Sequence, residues 1–317
     1  MKKLAGLYAV LLILALCAGV CAACAEGAET VTFKKLTVSV DVEELDLGSV
    51  TVGQDDFKKF YQFLDKLPNL KRVDMYKTRM IRRRCEEMTE RYPNIEFGWT
   101  LHFNNHTCRT DATAFSTRHG SESARHKSID LSILKYCHRL VALDIGHNEV
   151  TTVNFLREMP QLKILIIADN KLNDIEPIGT LTNLEYLELF VNNVHDITPL
   201  ANLTNLIDLN ICYNRIKDLS PLYGLTNLRR LWIYNSNDYN PTHPLDPAAV
   251  QALQEALPDT YIDSTHMSVY GGWRKHPRYE CIRRIFAEGG EYEPFPPEET
   301  PWRPGGQEEE EREDAGE

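Results

Sequence analysis

Beyond Leu16 the chain lacks any apolar run near the roughly 20 residues that a bilayer-spanning helix needs. It has no phosphate-cradling G-x-x-x-x-G-K-[ST] loop, no G-x-G-x-x-G turn and no G-x-S-x-G elbow. No nucleotide chemistry is therefore signalled, and no catalytic residue or cofactor is expected. Cysteine is scarce: five residues (Cys85, Cys108, Cys137, Cys212, Cys281) lie beyond Cys24. An odd number spread over a large body is not a disulfide framework. One bridge, Cys108 to Cys137, is compatible with export, and the sequence leaves it open. A basic stripe is also missing, which argues against nucleic acid as a partner. The net charge is −11, but Glu288–Glu317 carries twelve acidic side chains against Arg303 and Arg312, so the rest is nearly neutral.

The two ends are distinctive. Lys2 and Lys3 precede the apolar run Leu7–Leu16, and Ala23-Cys24-Ala25 follows before Glu26. Residues 1–25 therefore read as an export signal, with cleavage after Ala25. The alternative is a lipoprotein anchored through an acylated Cys24, although Cys21 stands where such sites prefer Leu or Val. Either way the expected location is outside the cell or on its surface, with no retained transmembrane segment. At the other end, residues 288–317 are acidic, rich in Pro and Gly, and read as a disordered tail.

What is abundant is a period. Asn148, Asn170, Asn192 and Asn214 recur with a constant 22-residue spacing, each inside L-x-x-L-x-L-x-x-N-x-L, the signature of leucine-rich repeats. Copies begin at Leu140, Leu162, Leu184 and Leu206, with a degenerate one at Leu228, and residues 140–239 are assigned to them. In the third copy Leu187 and Leu189 point inward from a short strand, so alternate residues point outward. The Asn turns the chain and can satisfy backbone groups left unpaired there. Val194, Ile197, Leu200 and Leu203 fill the other sides of the coil. Pro177, Pro199 and Pro221 argue for a short turn or 3₁₀ segment behind each strand, since proline is badly tolerated inside a long helix. No copy can bury its apolar side alone, so copies must stack. The expected fold class is α/β: a curved solenoid with parallel strands on the concave face and mixed helical and 3₁₀ segments on the convex one.

The second half of each repeat, D-I-x-P-L-x-x-L-x-N, resembles internalin-type repeats of bacterial surface proteins over Leu140–Asn227. That resemblance implies a concave face that binds a protein partner. The first copy departs from it: Thr152 and Phe155 replace the Asp and Pro, so its second half is expected to differ in backbone. TDATAFS, ALDIGHN, CYNR and GWRKHPRY are also similar to segments of exported leucine-rich proteins of Gram-positive anaerobes, which implies location more than mechanism.

Upstream the period lengthens. Strand starts are expected at Val42, Leu70 and Ile95, with helical spacing between them, so residues 26–101 read as an edge strand followed by longer, helix-containing repeats. Residues 102–139 break the rhythm as a polar excursion that rejoins the repeats at DLSILKYC, and such long loops are often functional. Residues 240–287 contain a helix from Pro247, a last strand at Tyr261 and a terminal cap around GGWRKHPRYECIRRIF.

The outward positions are Ala142, Asp144, Gly146, Ile164, Ile166, Ala168, Tyr186, Glu188, Phe190, Asp208, Asn210, Cys212, Arg230, Trp232 and Tyr234. Tyr186, Glu188, Phe190, Asp208, Asn210, Arg230, Trp232 and Tyr234 form the candidate binding face. Their aromatic and Arg groups are of the kind enriched at binding hot spots, and Ile164 and Ile166 extend the patch. The competing expectation is that the excursion or the cap folds over them. His102, His106, His119, His126 and His138 crowd one region with Cys108, but no second ligand pair stands at a usual zinc spacing. No metal site is assigned to them. Asp111, Ser116 and His119 are near in sequence, which does not make a triad. Asp144 and Glu188 could line the hollow, but a glycosidase needs a deep, exactingly spaced pair. The leading expectation is a non-enzymatic binder of a protein or peptide; the alternatives are a cell-envelope enzyme or metal-dependent protein using the His-rich excursion, and a passive structural protein.

Overall fold

A computed structural model describes residues 29–118, 125–235, 245–265, 272–287 and 289–296. The export signal, His119 and the end of the acidic tail lie outside these residues. The chain divides into two compact units, up to Thr100 and from Leu101 onward.

The first unit opens with an antiparallel hairpin, β1 (Thr30–Phe33) and β2 (Leu36–Ser39), where a single edge strand was expected. Lys34 takes the left-handed conformation at its turn. Phe33 packs on Phe60 and Phe63 of helix α1 (Phe57–Leu64), with ring centroids 5.0 and 5.7 Å away. The α1 face is apolar at Phe57, Phe60 and Leu64, a spacing of three and four that lines one side of a helix. Strand β3 (Glu44–Asp46) runs parallel to β4 (Arg72–Met80), with Leu45 opposite Val73. Helix α2 (Arg82–Arg91) buries only Cys85 and Met88. Cys85, in this polar stretch, is fully buried, and burial pushes its thiol well above the ordinary value. Strand β5 (Glu96–Phe103) runs across the division.

The second unit carries β6 (His106–Arg109), β7 (Ala114–Ser116), the short helix α3 (Ser128–Leu131), then β8 (Ala142–Asp144), β9 (Ile164–Ile166), β10 (Tyr186–Glu188), β11 (Asp208–Asn210) and β12 (Arg230–Trp232). Helix α4 (Pro247–Ala256), β13 (Tyr261–Asp263) and helix α5 (Pro277–Ile285) complete it. Strands β7 to β13 form one parallel sheet in chain order, so each coil lies beside the next. Equivalent residues are in register: Leu187 faces Leu165 on one side and Leu209 on the other. Behind the sheet, 3₁₀ segments at Asn154–Glu158, Glu176–Thr180, Thr198–Asn202 and Ser220–Leu222 repeat in step. This is an α/β leucine-rich repeat solenoid.

The Asn ladder satisfies the turns. Asn192 Nδ2 donates to the carbonyls of Leu189 in its own coil and Ile167 in the one before, and its Oδ1 accepts from the Leu172 amide. Asn170 and Asn214 repeat the pattern. The residue before each Asn (His147, Asp169, Val191, Tyr213) has positive φ. The first copy keeps a 3₁₀ segment of the same span as the next two, but the residue that ends it, Met159, has φ −127° where Leu181 and Leu203 have −88°. It lacks the Asp that in later copies accepts from the amide of Glu176, Thr198 or Ser220, and Ser128 Oγ accepts instead from the Thr151 and Thr152 amides.

The polar excursion is less of a departure than its composition suggested. It holds β6 and β7, and Ala114, Phe115 and Ser116 pair with Ala142, Leu143 and Asp144. The interval from Ala114 to Ala142 is longer than the regular period, so the repeat is present with extra residues after its strand, which hid its rhythm. His126 stands one regular period before Asn148, whose Oδ1 accepts from the His126 amide.

Candidate functional site on the sheet face

Of the two expectations for the outward positions of β8 to β12, open to a partner or covered by the chain itself, the structure shows the second. Tyr186, Asp208, Asn210 and Trp232 have no exposed surface, Glu188, Phe190 and Arg230 are buried, and Tyr234 is half-buried. Ile164, Ile166 and Cys212 are buried with them. The cover is the protein's own segment from Trp273 to Phe295. It was read as a cap over the last coil followed by a disordered tail from residue 288. Instead it lies across the sheet, packing Trp273, Cys281, Ile282, Ile285 and Phe286 onto Ala142, Ile164, Ile166, Tyr186 and Trp232, with Tyr292 and Phe295 added from the tail. The physical reason is plain: the face is apolar and aromatic, and α5 carries a matching stripe.

Two polar anchors fix the register of this contact. Gly272 takes a left-handed backbone and sets up the 3₁₀ turn Trp273–Lys275. There the Trp273 indole N–H donates to Glu188 Oε1 at 2.8 Å, and the Tyr186 hydroxyl donates to the same oxygen. The Trp273 ring lies 5.1 Å from Trp232 and 5.5 Å from Tyr186, and the Arg230 guanidinium sits 4.4 Å above it. Arg230 Nη1 also donates to the Trp273 carbonyl. The second anchor is Asp208. Arg230 from the neighbouring strand donates to it twice, at 3.0 and 2.6 Å, and Arg278 from α5 donates twice more, at 2.9 and 2.7 Å. One carboxylate thus receives two bidentate guanidinium forks, the strong geometry for such pairs.

The buried carboxylates are held differently. Burial opposes ionisation of Asp208, but the Arg230 charge and the bonds from Arg278 and Arg230 outweigh it and hold its pKa well below the ordinary range. Glu188 has neutral donors, so burial dominates and its pKa is raised. Asp144 is likewise raised by burial, offset in part by the Gly146 amide and the Ser116 hydroxyl. Asn210 Oδ1 accepts from the Cys212 amide, and its buried Nδ2 has no hydrogen-bond partner among the described residues.

Two of the clustered histidines, His106 and His126, bond each other. His106 Nδ1 and His126 Nε2 share a hydrogen bond of 2.9 Å; His106 Nε2 meets the Thr117 carbonyl and His126 Nδ1 meets Asn104. Among the described residues no group of three or more His, Cys, Asp or Glu could hold a metal ion. The residues that sequence reasoning missed are Trp273 and Arg278 as partners of the sheet. A signal existed: Arg278, Cys281, Ile282 and Ile285 share one face of α5, and a buried Asp208 requires a cation.

With this geometry in hand, the sequence matches a family described as leucine rich repeats in two copies, over residues 160–202 and again over 204–247. The repeats of residues 160–247 are leucine-rich repeats. No curated protein matches this leucine-rich repeat chain in sequence. Solved structures to which it is similar include internalin C2 from Listeria monocytogenes, at 22% identity, covering 72% of this chain and 85% of that one, with a TM-score of 0.37. An internalin from the same organism, inlF, is 18% identical, with 63% and 62% covered and a TM-score of 0.37. A leucine-rich repeat protein of Leptospira interrogans is 20% identical, with 64% and 50% covered and a TM-score of 0.42. Among the described residues no helix is long and apolar enough to cross a membrane.

Proposed function

We propose that this protein is a secreted or cell-surface, non-enzymatic module that binds a protein or peptide through the concave face of its repeats. In the closed form that face is held by residues 273–295 of the same chain. The observation that carries the reading is that the face grips a polypeptide by side-chain recognition, through an indole seated on Glu188 and a guanidinium forked on Asp208. Tyr, Trp and Arg buried in a dry, central cluster are the groups that dominate binding energy at interfaces. The carboxylates an enzyme would need, Asp144 and Glu188, are instead engaged by Ser116, Gly146, Tyr186 and Trp273, which favours recognition over catalysis. An external partner reaches these residues by displacing the segment, so its affinity is lowered by the cost of opening.

The test separates the face from its cover. A chain ending at Thr265 is mixed with a labelled peptide of residues 272–296. Saturable binding is expected, lost when the peptide carries Trp273→Ala with Arg278→Ala or the chain carries Asp208→Ala. A folded shortened chain that ignores the peptide would remove the face as a polypeptide-binding surface. Capture of partners from a surface extract should then be stronger for the full chain with Trp273→Ala and Arg278→Ala than for the unaltered one.

A further inference from the structure

Away from the sheet face, Cys108 Sγ stands 3.7 Å from Cys137 Sγ, both buried. The two come from different parts of the unit. Cys108 is the second inward residue of β6, after His106. Cys137 closes the 3₁₀ segment Ser132–Tyr136, its amide donating to the Leu134 carbonyl. Its repeat position is informative. In the coils that follow, the same place is taken by Met159, Leu181, Leu203 and Leu225, all fully buried. A cysteine is smaller than each of these, and in a close-packed interior the space it leaves must be filled. Here the filler is the sulfur of Cys108.

We propose that Cys108 and Cys137 are a disulfide-forming pair that ties β6 to the first coil of the repeats. A disulfide needs sulfurs about 2.0 Å apart, so the thiols must close by less than the width of an atom. The oxidant is a low-molecular-weight or protein disulfide. Cys108, unlike Cys137, lines a cleft of about 680 Å³ together with Thr107, Arg109, Phe115, Ile285 and Phe286, which gives it the more open approach. The Cys108 thiol loses its proton and its sulfur attacks the oxidant's S–S bond, releasing one thiol. Cys137 then loses its proton and attacks the mixed disulfide at Cys108, releasing the second thiol. Two cysteine thiols are oxidised and one external disulfide is reduced to two thiols. An oxidising compartment supplies such oxidants, so the pair fits the export reading, but its geometry does not depend on it or on any binding role.

Purified full-length protein is refolded with oxidised and reduced glutathione, denatured, alkylated without reductant and mapped by mass spectrometry. Mapping keeps Cys17, Cys21 and Cys24 out of the assignment. The expected product is one linked species of the Cys108 and Cys137 peptides, lighter by two hydrogens than the pair of thiol peptides, while Cys85, Cys212 and Cys281 are alkylated. Oxidised protein should also melt above reduced protein, and Cys108→Ser should abolish that difference. Complete alkylation of both cysteines in folded, oxidant-treated protein would overturn the proposal, as would a bridge from either one to a different cysteine.

Discussion

The two sides of the regular repeats obey different rules. Behind and within the sheet, each position is nearly the same in every coil: Leu184, Leu187, Leu189, Asn192 and Leu203 have counterparts one step either way. On the sheet face the same register position reads Ala142, Ile164, Tyr186, Asp208 and Arg230, with no repetition. The repeated side solves one packing problem many times, since each coil meets a copy of itself. The other side meets a single non-repeating object, the segment Trp273–Phe295, and each coil is shaped to a different part of it. Where a repeat protein stops repeating, its sequence records what it touches.

The covered side is most vulnerable at Asp208. Removing this carboxylate leaves two buried guanidiniums facing each other, and loss of one partner of a buried ion pair costs about 3–5 kcal/mol. Asp208→Ala should therefore lower the urea midpoint strongly and expose the Trp273 ring, seen as a red shift of its emission. An unchanged midpoint would mean that α5 does not depend on its anchor. On the repeated side, Asn192→Ala unpairs buried carbonyls of two coils and should cost about 1–3 kcal/mol, with faster amide exchange around Leu172 and Leu189. An effect confined to one coil would show that the ladder does not couple neighbours.

Two smaller effects, one on each side, are expected at Val191 and Glu188. Val191 is β-branched yet has φ of 55° and is 38% exposed. A left-handed backbone costs such a residue about 1 kcal/mol or more, and asparagine tolerates it, so Val191→Asn should raise the melting midpoint without touching the sheet face. Glu188 supplies the pH test. Its folded pKa is raised above the ordinary 4.5, chiefly by burial, so its contribution is fully present below 4.5 and is lost as pH rises through the folded value. Glu188→Gln keeps an acceptor for the Trp273 indole and removes the charge. Stability should then fall less as pH rises above 4.5 than in the parent, and an identical slope in both would show that Glu188 does not carry it.

Much of the architecture was legible because it rests on period. The strands, the Asn turns and the proline-bearing 3₁₀ segments follow from spacing alone, and helices α1 and α2 stand in the two stretches with helical spacing. Of the coil that ends at Cys137, the second half was legible in DLSILKYC; its strand was hidden because extra residues after it moved Ala114 out of step with His126, which keeps its place before Asn148. At the candidate site the residue identities were readable but their exposure was not. Alternation along a strand says which side a residue faces and nothing about what lies beyond it.

From the chain alone came the solenoid, because a strict recurrence of inward leucines admits only coils stacked on copies of themselves. What covers the sheet was settled only in three dimensions. The pairing of Trp273 with Glu188 spans 85 residues and that of Arg278 with Asp208 spans 70, and no period links positions so far apart. Such contacts arise from shape and charge meeting once, and a single meeting leaves no rhythm to read.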